Sequence, residues 1–298
     1  MDFDVEALVK GDKDDGSQWK FALILVFCAV YLLFLHQSGQ DSNYAETYFY
    51  VLFIGVMIFC LCQWAPESNF GMITLGNPED IVFGLPRPMF GLAVGAVLAI
   101  VLMLSSMIMP VAPFSVDGGN EEFIKTSFGS GTMESSLFSG LIMPSIVALC
   151  LGYGIAGFTF VLLTFLVLFL QFNFVFLLIS IGVIFFAGTS SKLYSAREFV
   201  NDILKNVAIA VVVGLVFSAL LFQALHTNDA NSAIHNSRLV FSFIADSITL
   251  LTGGIAGAIM FHIIYNGFAL AGVTGLWWVP AVFWAAFVYA DSYILSRG

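Results

Sequence analysis

From Ser135 to Ser191 the chain runs for 57 residues without one Asp, Glu, Lys, Arg or His. A soluble domain carries roughly 25% charged residues, whereas this chain carries 10% and is 59% hydrophobic. At about 20 residues per membrane span, the run holds two or three helices. The apolar stretches are continuous and do not alternate with period two, which excludes a β-barrel. The expected fold class is an all-α polytopic integral membrane protein.

Ten apolar segments can be drawn, at 20–36, 47–64, 89–112, 134–152, 155–171, 173–189, 206–226, 238–252, 254–270 and 275–295. Several are short enough to be re-entrant or enclosed by other helices, so about eight to ten transmembrane helices are expected. The Leu151-Gly-Tyr-Gly154 and Gly253-Gly254 stretches read as breaks between helices. Residues 66–88, 114–133, 192–205 and 227–237 read as connections, the third with the charge pattern of a short interfacial helix. Residues 1–19 form a polar, acidic N-terminal segment, unlike a secretory signal. Residues 20–298 form a single helical membrane domain. The net charge of −10 excludes a basic nucleic-acid surface, so the expected surroundings are membrane lipid. Cys28, Cys60, Cys62 and Cys150 all fall in apolar spans and read as small buried hydrophobes.

Lysine and arginine set an orientation. With the N-terminus inside, inner segments hold Lys10, Lys13, Lys20, Arg87, Lys192, Arg197, Lys205 and Arg297, and outer loops hold only Lys125 and Arg238. The positive-inside rule then predicts a multi-pass protein with a cytoplasmic N-terminus. In that topology Glu134, His226, His262 and Asn266 fall at similar depth in the outer leaflet. Ionisable groups inside spans are costly and mark functional sites by default. His262-x-x-x-Asn266 places an imidazole and an amide on one helix face. Alone, Glu134 would read as a first-turn helix residue favoured by the helix dipole, and either histidine as an interhelical hydrogen-bonding group. Asp246 is a further intramembrane acid, a partner for a histidine ring N–H or a group satisfied by a neighbouring helix.

Three stretches carry a resemblance: Glu134-Ser-Ser-Leu-Phe-Ser-Gly-Leu-Ile-Met-Pro144, Ser218-Ala-Leu-Leu-Phe-Gln-Ala-Leu-His226 and Thr252-Gly-Gly-Ile-Ala-Gly-Ala-Ile-Met-Phe-His-Ile-Ile-Tyr-Asn266. In the order Glu, FxxxH, HxxxN they resemble the CPBP family of intramembrane proteases, which includes CAAX prenyl endopeptidases and bacteriocin-processing relatives. The resembling core spans 134–270. Two departures stand out: the family's second Glu is Ser135 here, and its Arg is Ser139. The stretch between 145 and 205 looks like inserted helices. Glu198 and the Glu121-Glu122 pair are rival carboxylates should Glu134 not fill the first motif.

The resemblance implies an intramembrane endopeptidase. Glu134 would be the general base on water, His226 and His262 would orient or coordinate, and Asn266 would donate to the tetrahedral intermediate. The substrate would be a membrane-embedded or lipidated peptide. Glu134, His226 and His262 are also a credible zinc set with an open position, so both metal-assisted and purely Glu/His catalysis are open. The missing charge pair fits a divergent active enzyme or an inactive relative acting as a subunit, scaffold or immunity-type partner. A transporter would need a continuous polar route, for which the intramembrane polar residues are too few.

Overall fold

The structure, a computed structural model, describes residues 19–38, 75–108, 125–172, 178, 181–182, 194–225, 232–269 and 278–295. The expected segments at 47–64 and, for the most part, 173–189 lie outside the described residues. In chain order the elements are α1 (Trp19–Ser38), a hairpin of β1 (Ile81–Val82) and β2 (Leu85–Pro86), α2 (Arg87–Ile108), π1 (Lys125–Ser130), α3 (Gly131–Ser135), π2 (Ser136–Ile142), α4 (Met143–Tyr153), α5 (Ile155–Phe172), α6 (Tyr194–Leu204), α7 (Val207–Leu225), α8 (Ser232–Thr252), α9 (Ala256–Ala269) and α10 (Val279–Leu295). Arg87–Ser105, Ser127–Tyr153 and Val207–Ala224 are helical, long and apolar enough to cross a membrane. This is an all-α membrane protein.

The chain forms two compact units, one from residues 1–70 and 141–227, the other from 71–140 and 228–298. In the first, α4 packs on α1, α5 and α7. Its core includes Leu25, Ile146, Leu149, Leu162 and Phe165, all shielded from solvent. Phe217 lies edge-on to Phe158 and tilted against Phe165. The turn between α4 and α5 is made at Gly154, whose φ of 57° favours glycine. Gly154 N–H still reaches Cys150 O at 2.8 Å. The next amide, Ile155 N–H, would be an orphan at the start of α5, and Asn201 Oδ1 on α6 accepts it at 3.2 Å. Segment 192–205 thus contains the helix expected of it, and that helix seals a turn from a distance.

In the second unit α9 is the central helix, packed on α2, α3, α8, π1 and α10. Its contact with α2 is made backbone to backbone. A β-carbon on Gly95 would fall against the Gly257 carbonyl, whereas one on Gly91 would meet Gly257 N at an ordinary 3.4 Å. Gly91-Leu-Ala-Val-Gly95 is the small-xxx-small spacing that lets apolar helices approach closely. On another side, a β-carbon on Gly131 would lie 3.2 Å from Ile263 Cγ1, so α3 also sits tight on α9. The chain enters α9 from α8 through Gly253, at φ 69°, as the Gly253-Gly254 break predicts. Trp284 Nε1 on α10 donates to Ala256 O at 3.1 Å and ties down the start of α9. The hairpin turns at Phe83 and Gly84, both with positive φ, the backbone a two-residue type I′ loop requires. Arg87 holds it to α2 through Asp80, Nε to Oδ2 3.2 Å.

Two expectations from the sequence are corrected here. Residues 114–133 were expected as a loop, but helix begins at Lys125, and Ser130, Ser136 and Ile142 all have α-helical backbone angles. Glu134 is therefore the tenth residue of a continuous helical run, beyond the reach of a helix N-terminal dipole, which fades within the first turn. Likewise α8 starts at Ser232, so Arg238 is a helical residue and not part of an outer loop. The reason is common to both: serine and other polar residues lower local hydropathy at the helix starts, so an apolar-run criterion begins too late. The widened turns of π2 directly precede Pro144, whose ring clashes with the carbonyl four residues back and whose missing N–H breaks the α-helical ladder.

The two glycines of α2 make a paired test. Gly95→Ala should lower stability by about 1–3 kcal/mol through overpacking against backbone that cannot yield, while Gly91→Ala stays near wild type. Thermal unfolding of the detergent-solubilised protein reads the difference.

Candidate functional site

Of the polar residues singled out in the sequence, Glu134 and His262 are brought together, at α9. His262 is buried at 3% exposure. Its Nε2 lies 3.6 Å from Glu134 Oε2. Its Nδ1 lies 3.1 Å from Ser135 Oγ, which is also 3.4 Å from the Ala258 carbonyl. Consecutive residues of α3 thus address opposite nitrogens of one ring. The ring is fixed by packing as well: Phe241 of α8 lies edge-on to it at 4.6 Å and also contacts Phe261 and Tyr265. The Glu134 side chain keeps 25% exposure against 4% for His262. The carboxylate is the end of the pair that an incoming molecule could reach.

One helical turn beyond Ser135, Ser139 Oγ donates to Asp246 Oδ1 at 2.6 Å. Both are buried, Asp246 completely. A carboxylate enclosed in a membrane helix bundle needs hydrogen-bond donors, and the residue standing where the resembling family has Arg supplies one. Of the two roles open to Asp246, the structure shows a contact with a neighbouring helix, through Oδ1, and it is Ser135 that lies at the His262 ring nitrogen. Sequence reasoning missed both serines as partners, since it read them only as missing charges.

Arg238 was missed as well. From α8 its charge bears electrostatically on the Glu134 carboxyl. The signal lay in its position, eight residues before Asp246 on what proves to be one helix.

Asn266 lies one turn after His262 on α9 and is half-buried. His226 lies outside the described residues, as do Cys60, Cys62 and the Glu121-Glu122 pair; Cys28 and Cys150 are buried thiols, as expected. Glu198 is exposed on α6. As for a metal, Glu134 and His262 offer two donors where a catalytic zinc takes three. No group of three His, Cys, Asp or Glu suited to a metal occurs among the described residues; His226, the third donor of the expected zinc set, is not among them. Neither a protein-family model, a curated protein nor a solved structure matches the chain.

The Ser139–Asp246 pair generates a stability test. Ser139→Ala should cost about 1–3 kcal/mol, because it strips a buried carboxylate of a donor. Adding Asp246→Leu should recover part of the loss, since the demand for that donor goes with the charge. A double-mutant cycle on unfolding free energies measures the coupling.

Proposed function

We propose that this protein is a multi-pass intramembrane endopeptidase of the CPBP type, with its N-terminus in the cytoplasm and a membrane-embedded or lipidated peptide as substrate. The observation that carries the reading is the approach of Glu134 Oε2 to His262 Nε2 at 3.6 Å. These residues come from distant parts of the chain, and each was picked from the sequence for this role.

The chemistry follows from the group types. Glu134, partly exposed at the edge of the pair, takes a proton from a water molecule. The resulting hydroxide attacks the carbonyl carbon of the scissile peptide and opens its π bond to an oxyanion. N–H donors around that oxygen lower the barrier; in this reading the Asn266 amide and the His262 ring supply them. Collapse of the intermediate breaks the C–N bond, and Glu134 returns the proton to the departing amine. His226 is the further orienting group in this scheme. No step is routed through a metal.

A helix bundle reconstituted in liposomes with transmembrane peptides tests the reading, with cleavage followed by mass spectrometry. Glu134→Gln and His262→Ala should each lower turnover by about 10²–10⁴-fold, the usual contribution of a general base or its partner, with helicity and elution unchanged. Full activity in Glu134→Gln would remove it as the base. Absence of cleavage by the wild type, with both variants equally folded, would favour the non-enzymatic subunit, scaffold or immunity-type alternative.

A further inference from the structure

We propose that Ser135 is a positioning residue that sets the proton on His262: its hydroxyl donates to Nδ1, holding the ring as the Nε2–H tautomer with that N–H turned toward Glu134. Two acceptors face Ser135 Oγ, the ring Nδ1 at 3.1 Å and the Ala258 carbonyl at 3.4 Å. The carbonyl lies four residues before His262 in α9 and already accepts the helical N–H bond of that residue. The shorter contact, to a ring nitrogen that takes no part in the backbone ladder, is the better one for the single hydroxyl proton. The opposite side of the ring gives the same answer. Nε2 faces Glu134 Oε2 at 3.6 Å. An N–H there meets a carboxylate oxygen, whereas a lone pair would set two electron-rich atoms against each other in a poorly screened site.

The arrangement is a hydroxyl, an imidazole and a carboxylate in line, the same groups that make a serine nucleophile in other hydrolases. Burial decides which end reacts. Ser135 is 2% exposed and behind the ring, while the Glu134 side chain keeps 25% exposure. The serine orients and the carboxylate meets the reactant. A neutral donor at 135 suits this task, because an ionised carboxylate at that position could only accept and would draw the proton to Nδ1.

The assignment of the proton stands on geometry, and only its kinetic consequence rests on the proposed peptidase reading. The full-length protein in detergent, labelled with ¹⁵N-histidine, reports the tautomer directly. Its four histidines are resolved by comparison with His262→Gln. The expected result is an unprotonated Nδ1 and a protonated Nε2 at His262 in the wild type, loss of the fixed tautomer in Ser135→Ala, and its return in Ser135→Thr. Cleavage by Ser135→Ala should fall about 10–100-fold in kcat, as for loss of a hydrogen bond that orients a catalytic imidazole, and recover in Ser135→Thr. A protonated Nδ1 in the wild type overturns the proposal, as does labelling of Ser135 by a fluorophosphonate, which would make it the nucleophile. If no peptide is cleaved, the peptidase reading fails while the spectrum still decides the role of Ser135.

Discussion

The second unit depends on a contact with no side chain in it. At Gly95 and Gly257 the backbones of α2 and α9 meet so closely that a single methyl group would not fit. In an apolar surrounding, burying hydrocarbon gains little over lipid, so helices associate through close van der Waals packing and hydrogen bonds. Small residues at the crossing make the first possible and shorten the reach for the second. Gly131 does the same on the α3 side of α9. With α9 held from these directions, Ser135 comes within 3.1 Å of the His262 ring.

Polar groups follow the same logic. His262, Ser135, Ser139 and Asp246 are all buried, and each is expensive in such a place unless it has a partner. They are paired across helices, Ser135 with His262 and Ser139 with Asp246. Both serines stand where the resembling family carries a charge. Both are neutral hydroxyls, and neither adds a buried charge of its own.

The widened helical turns give the polar run its setting. Glu134 and Ser135 sit in the short α-helical piece between π1 and π2. Pro144 accounts for the second widening. Such turns change which residues share a face.

The sequence by itself determined the class of fold, since a long run without an ionisable residue leaves no alternative to apolar helices. It also determined the breaks at Gly154 and Gly253, because their backbone angles favour glycine, and it singled out Glu134 and His262, because ionisable groups are rare enough in such a chain to stand out. Helix starts at Lys125 and Ser232 were not legible, as serine and other polar residues blur the apolar edge there. Only the tertiary structure decided the partners: Ser135 for His262, Ser139 for Asp246, and Arg238 in electrostatic reach of Glu134. Partnership depends on which helix faces touch, and that is settled by close approach at a few glycines, a property of three-dimensional packing that no local pattern of residues encodes.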